Sequence, residues 1–497
     1  MRQIVIGGAG LFLVMGMTPA LAPVDTGIAV AANRGAAIPF DFDGDGYADL
    51  AVGIPHEELR GKAGAGAVQV LYGSQTGVSA HDQLWHQGKK GVKGAVEARD
   101  DFGHDVASGD FDADGYADLA ISIPREDIKG VSNAGAVQVL YGSPDGLTAS
   151  GDQVWHQNKP GVPGRNQKND RFGEVLTVGD FTGDGFADLA VGIPGKTVAS
   201  ADNAGRVVLL LGSAAGLAPV TGGTVTENSP GIATVARASE YFGGFLAAGD
   251  VNGDGRDDLA VGVHDDTRNR DSAVHVLRGT ADGVTGAAGQ YVRLGDLGLS
   301  DNPWLDSLWL GDVDSDGHAD LAVGSNRGVA LLHGHANGLH PGRLGAPGRP
   351  GLDGLWTAFV GPAATGDLTG DGRPDLAMIR SRDSAVVIAV GTSAGIGSDI
   401  VAWSLPAWPP GGWQSPNTYP FNVLPLSGGS HQWLVIGQET AEIGSIGYAG
   451  AVIVARGTQA GVAEATVWHQ DSPGIKGHAE FADSFGTSVG GTAPGPV

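Results

Sequence analysis

Short apolar runs punctuated by Gly, Asp and Pro recur along the chain, as in Leu50-Ala-Val-Gly-Ile-Pro55, Leu119-Ala-Ile-Ser-Ile-Pro124 and Leu189-Ala-Val-Gly-Ile-Pro194. They are rich in β-branched residues, and no segment sustains a helical period over three turns, so the pattern predicts strands. Each run has the same companions. A strand opened by Phe-Gly precedes it (Phe102-Gly103, Phe172-Gly173, Phe242-Gly243). A Gly-led strand follows, such as Gly66-Ala-Val-Gln-Val-Leu-Tyr72, then a turn such as Gly73-Ser-Gln-Thr-Gly77, then a fourth strand ending in Trp85-His86-Gln87 or Trp155-His156-Gln157. Four short strands per repeated unit predict an all-β fold, a β-propeller of four-stranded blades.

The count is seven. Six units carry a polar Asp-rich loop, and a seventh is traced by Leu434-Val-Ile-Gly437, Tyr448-Ala-Gly-Ala-Val-Ile-Val454 and Trp468-His469-Gln470, its Asp loop replaced by Pro425–Trp433. Blades five and six have Trp304-Leu305 and Phe359-Val360 where Phe-Gly is expected. Phe485-Gly486 opens an eighth first strand that stops, while the first unit begins without one, and Val489 and Ala37 fall in the same repeat slot. The terminal strands are therefore expected to pair in blade one and close the ring, covering edges that invite aggregation. The domain reading is a signal peptide over 1–31 and one propeller over 32–497, with a degenerate seventh blade at about 420–475 and a closing strand at about 483–490.

The polar positions carry the chemistry. The six loops follow D-x-[DNT]-x-D-G-x-x-D, with an acid at positions 1, 5 and 9 throughout. Calcium takes six to eight hard oxygens. Candidate ligands are Asp41, Asp43, Asp45, the Tyr47 carbonyl and Asp49; Asp110, Asp112, Asp114, Tyr116 and Asp118; Asp180, Thr182, Asp184, Phe186 and Asp188; Asp250, Asn252, Asp254, Arg256 and Asp258; Asp312, Asp314, Asp316, His318 and Asp320; and Asp367, Thr369, Asp371, Arg373 and Asp375. Gly at position 6 permits the turn. Position 12 is apolar and inside a strand (Val52, Ile121, Val191, Val261, Val323, Met378), where an EF-hand needs Glu. A metal-free Asx turn suits the same residues, but repeated uncompensated carboxylates favour up to six structural Ca²⁺. Thr182, Asn252 and Thr369 each replace a carboxylate, so those loops should bind more weakly.

Composition agrees. Lys and Arg number 30 against 55 Asp and Glu, a formal charge of −25, which disfavours nucleic acid and anionic lipid. No Cys is present, which excludes disulfides and thiolate chemistry. Arg2 and the apolar run Ile4 to Met17 read as a secretory signal, with cleavage after Ala31 preferred over Ala22 because Pro23 follows the latter. The mature chain is expected outside the cell, off the membrane and monomeric.

Catalytic signals are weak. Gly391-Thr-Ser393-Ala-Gly395 matches a nucleophile elbow, but the repeat places it in an ordinary inter-strand turn. His86, His156 and His469 sit one blade or more apart and read as packing. Trp403, Trp408 and Trp413, with Pro406, Pro409 and Pro410, form an aromatic insertion suited either to ligand docking or to covering the last blade.

The Phe-Gly pairs, the Asp loops and the strand ends Gly53-Ile-Pro55 and Gly192-Ile-Pro194 resemble the FG-GAP repeat propeller of integrin α-chain heads over residues 36–489. The chain departs from integrin α in lacking cysteines, leg domains and a transmembrane helix. The resemblance implies calcium, and a secreted binding or adhesion module for an extracellular protein or glycan, without catalysis. Alternatives are a phospholipase- or esterase-like hydrolase by family association, or a structural envelope or scaffold protein.

Overall fold

The computed structural model describes residues 37–490 apart from 267–270, 300–302, 326–327, 342–358, 381–384, 393–394, 404–420 and 425–431. The leader region, Ser393 and the Trp408 and Trp413 insertion lie outside the described residues. Antiparallel sheets form seven blades with strands in sequence order. Blade two runs Val106–Gly109, Asp118–Ile123, Ala136–Tyr141 and Thr148–Trp155. Blade seven runs Phe421–Leu424, Trp433–Gln438, Ala451–Thr458 and Gly461–Trp468. Among the described residues the helical content is one 3-10 turn, Leu294–Leu297.

Burial explains the apolar runs. The second and third strands of a blade are covered on both faces by adjacent blades, so Leu50–Ile54, Asp118–Ile123 and Ala136–Tyr141 are buried at every position. Outer strands such as Thr148–Trp155 are only partly covered and carry the polar residues. Inner strands of successive blades touch around the axis. Close approach there requires glycine: a Cβ on Gly109 would meet Val178 and Ala187 of the next blade at 2.6 and 2.8 Å.

Blade one contributes three strands of its own, Leu50–Ile54, Ala67–Leu71 and Asp82–Trp85. The segment 486–490 supplies the fourth. Val489 pairs with Val52, Gly486 N–H donates to Gly53 O (2.9 Å), Gly53 N–H to Ser488 O (2.9 Å) and Gly490 N–H to Ala51 O (3.1 Å). This register matches Val106 on Ile121 in blade two, so the chain ends meet in one blade as the repeat predicts.

The Phe-Gly pair is an inter-blade clasp. Phe102, Phe172, Phe242 and Phe485 are fully buried, and their N–H groups donate to Ala65, Ala134, Ala204 and Ala449 of the preceding blade at 2.9–3.2 Å. The following glycine, at φ +88° for Gly103, turns its own N–H onto Ser122 O (2.9 Å). Blade five departs from this. Trp304, aligned with the Phe position, is 51% exposed, and Leu305 in the Gly slot is buried instead. The Trp-His-Gln triplet is a second tie: Gln87 Nε2 donates to Glu126 (2.8 Å), Gln470 Nε2 to Glu57 (2.6 Å) and Gln157 Nε2 to Asp170 (2.7 Å). Burial lowers the pKa of His86, His156 and His469.

Candidate metal centres

Loops two to six join the inner strand to the second strand of their blades, loop one leads into the second strand of a blade whose inner strand is 486–490, and one hydrogen-bond scheme recurs in all six at the same end of the propeller. The position-1 carboxylate accepts from the position-5 and position-6 amides. In loop one, Asp45 N–H and Gly46 N–H reach Asp41 at 3.1 and 3.0 Å; in loop six, Asp371 N–H and Gly372 N–H reach Asp367 at 3.1 and 2.8 Å. The position-5 carboxylate accepts from residue 7, as in Tyr47 N–H to Asp45 and Phe186 N–H to Asp184. Position 9 is deeply buried, and its Oδ1 accepts from the glycine that ends the third strand. Gly73, Gly142, Gly212, Gly279, Gly334 and Gly391 donate to Asp49, Asp118, Asp188, Asp258, Asp320 and Asp375 at 2.8–2.9 Å. Sequence thus builds a turn whose carboxylates are held by backbone amides, their remaining lone pairs facing one another.

The loops are also joined to each other. The position-8 amide donates to the position-1 carbonyl of the preceding loop: Ala117 to Asp41, Ala187 to Asp110, Asp257 to Asp180 and Ala319 to Asp250, at 2.7–3.0 Å. Loops one to five are thereby linked at one end of the propeller.

The residues fit a hard cation. Three carboxylates lie with oxygens within 4.8 Å of one another in loop one (Asp41, Asp43, Asp45), loop two (Asp110, Asp112, Asp118) and loop five (Asp312, Asp314, Asp316). These are the three loops with four acids. Asp188 Oδ2 in loop three and Asp314 Oδ1 in loop five are buried without a hydrogen-bond partner, a costly arrangement that a cation relieves. Burial first, and neighbouring carboxylates after it, push Asp41 and Asp112 up to about 6, Asp188 to about 7 and Asp49 to about 8.

Two further residues enter these sites that the loop motif does not contain. In blades four and five the residue before the capping glycine faces the position-9 carboxylate. Where blades one and two hold Tyr72 and Tyr141 and blade three Leu211, blade four holds Arg278 and blade five His333. Arg278 Nη1 donates to Asp258 Oδ2 at 2.6 Å, so loop four carries its own counter-cation beside Asn252. His333 Nδ1 lies 3.2 Å from Asp320 Oδ1 and 3.5 Å from Asp314 Oδ2, and the Asp320 hydrogen bond raises its pKa. Their signal in the sequence is a change of residue type at one repeat position, Tyr to Arg or His.

The FG-GAP repeat family matches residues 33–71, 102–140, 172–210 and 242–277, and an FG-GAP-like repeat matches 312–378. Phosphatidylinositol-glycan-specific phospholipase D of Bos taurus is 33% identical over 154 residues, 31% of this chain and 18% of that protein. Integrin alpha pat-2 of Caenorhabditis briggsae is 30% identical over 243 residues, 46% of this chain and 18% of that one. Integrin alpha-8 of Gallus gallus is 28% identical over 263 residues, 50% of this chain and 22% of that one. The chain spans about a fifth of the length of these relatives. A solved Agrocybe aegerita lectin that recognises non-reducing terminal N-acetylglucosamine superposes with TM-score 0.47 and 15% identity over 92% of this chain and 98% of that one, a score too low to add to what the strands show. Three of the four Phe-Gly clasps and all six Asp loops fall within the matched segments: the chain contains FG-GAP repeats, and its blades form a seven-bladed propeller.

Proposed function

We propose that this propeller is an exported, monomeric binding module for an extracellular protein or glycan, fastened by calcium at one end and presenting its ligand surface at the other. The observation that carries this reading is the asymmetry of the ends. The Asp-loop end repeats hydrogen bond by hydrogen bond. The opposite end holds the longest connections, and there the repeats stop resembling one another. Tyr448 and Phe481 stand 46% and 75% exposed, edge to face at 6.3 Å. Tyr448 occupies a left-handed position (φ 55°) that other blades give to Gly64, Asn133 and Asn203, and Phe481 replaces Ala98, Lys168 and Ala238. A bulky residue held at positive φ is the kind of local cost found at binding sites. Beside blades one and two, the same end has a polar groove of about 490 Å³ lined by Lys62, Glu97, Asp100, Arg125, Asp127 and Asn133. The similarity to integrin α chains supports a binding role.

Calcium, when bound, supplies charge neutralisation to the Asp loops, and these residues hold it by side-chain and carbonyl oxygens. The test is capture on arrays of glycans and extracellular proteins by the full chain in calcium. The double variant Tyr448→Asn/Phe481→Ala is expected to weaken capture about 30-fold, as for aromatic anchors worth 2 kcal/mol or more, with its melting temperature unchanged. Unaltered capture by that variant would overturn the placement of the ligand surface.

The calcium role has its own readout. In ion-free protein, Asp49 and Asp188 hold protons that the unfolded chain has already released, because their folded pKa values are raised to about 8 and about 7. That contribution is complete below the ordinary carboxylate range and is lost as pH rises through 7–8. Calcium displaces these protons. Calcium at a hundredfold excess over Kd should stabilise the folded chain by about 2.7 kcal/mol per site at pH 8 and should raise the melting temperature less at pH 5, where protons compete for the same oxygens. An equal shift at both pH values would contradict the assignment.

A further inference from the structure

Loop five differs from the other five in chemistry as well as in sequence. It holds two overlapping sets of ligand atoms that share Asp314: the oxygen-only set of Asp312, Asp314 and Asp316, and a mixed set of Asp314, Asp320 and His333. In each set the atoms converge within 4.8 Å. The mixed set has features that a lone acidic cluster lacks. An imidazole nitrogen, at a position that is Tyr in blades one and two, is aimed at two carboxylates. Asp314 Oδ1 is buried with no hydrogen-bond partner. Asp320 is fully buried and fixed by the Val313 and Gly334 amides, at 2.9 and 2.8 Å.

We propose that loop five takes a zinc-class divalent ion through His333 Nδ1, Asp320 and Asp314. The separations of 3.2 and 3.5 Å between Nδ1 and the two carboxylate oxygens match the spacing of neighbouring ligands around such an ion. With metal–ligand bonds of about 2.1 Å they correspond to angles of about 100–113°, close to tetrahedral. Imidazole nitrogen selects zinc, copper, nickel and cobalt over calcium, whereas the oxygen-only loops select calcium. Arg278 makes blade four the counter-example, since its guanidinium at the same repeat position supplies fixed charge and no ligand. Because Asp314 belongs to both sets, zinc binding at loop five displaces calcium from that loop alone.

The test uses the full chain, stripped with chelator and dialysed into 5 mM calcium (about 5- to 50-fold above the Kd range of extracellular calcium modules), then titrated with zinc by calorimetry and with cobalt by visible absorption. One equivalent of zinc is expected to bind despite the calcium, with a cobalt spectrum of low-coordinate N/O ligation. Losing a group that merely orients a ligand costs about 10- to 100-fold in affinity, so removing the ligand itself should cost at least about 100-fold. His333→Tyr, which restores the residue of blades one and two, should show that loss while keeping the calcium-induced rise in melting temperature. Surface histidines are controlled by His335→Ala/His340→Ala, whose rings lie 5.3 Å apart on the adjoining loop and which should bind zinc as the parent does. Zinc binding unchanged in His333→Tyr, lost instead in the His335/His340 variant, or absent from the parent chain overturns the proposal. Because the calcium shift is read on the same samples, its loss reports on the structural calcium reading and not on His333.

Discussion

Truncation after Asp483 is expected to open the propeller and drive it to associate. It removes Phe485, fully buried between blades seven and one, and Val489, 3% exposed. It also breaks the hydrogen bonds from Phe485 N–H to Ala449 O, Gly486 N–H to Gly53 O, Gly53 N–H to Ser488 O and Gly490 N–H to Ala51 O. Leu50–Ile54 then becomes an open, wholly apolar edge strand, the arrangement that recruits further copies. The milder Phe485→Ala should cost about 3–5 kcal/mol, as large-to-small changes in a packed core do. Sedimentation and thermal melting of both variants check this. A truncated chain that stays monomeric with the parent melting temperature would show that 486–490 does not close the ring.

The second large effect lies in loop two. Asp118 is fully buried, and its two oxygens accept from Phe111 N–H (2.8 Å) and Gly142 N–H (2.9 Å). Asp118→Ala leaves both donors buried and unpaired at about 1–3 kcal/mol each, so it should destabilise the protein by about 2–6 kcal/mol even in chelator. Asp114 in the same loop is exposed and accepts from Tyr116 N–H (3.0 Å). Asp114→Ala should be nearly silent in chelator and cost stability only when calcium is present. Denaturant melts of the two variants with and without calcium separate the roles, and equal losses in chelator would refute the fastening role of Asp118, which it holds in addition to its place among the candidate ligands.

Much of this was legible from spacing. A nine-residue loop repeated six times places a turn, its glycine and its acids, and the Phe-Gly copy at residue 485 marks the closing strand because a ring must reuse its first slot. Less was legible where a side chain acts across strands. That Gln87 reaches Glu126, or that Arg278 and His333 face the position-9 acid, follows from which way a strand's final residue points, and this depends on the pairing between strands. Trp304 shows the converse. It aligns with buried phenylalanines, yet the larger indole is half exposed and Leu305 fills the space, a substitution that alignment alone does not resolve.

The hydrogen-bonded band of Asp loops has a consequence for how the ring responds to loss of divalent ions. Each loop from the first to the fourth accepts at its first carbonyl from the next blade; the series breaks between loops five and six, where position 8 is Pro374 and has no N–H, and Gln432 N–H then donates to Asp367 O at 2.8 Å. The series then reaches a blade whose own loop sequence, Pro425 to Trp433, contains no Asp. There Trp433, 7% exposed, packs in one apolar cluster with Phe40, Phe42 and Tyr72 of blade one. At the Asp-loop end of that seam the contact is apolar. Chelator should therefore loosen the Asp-loop end of blades one to six while sparing the seam where the two chain ends meet.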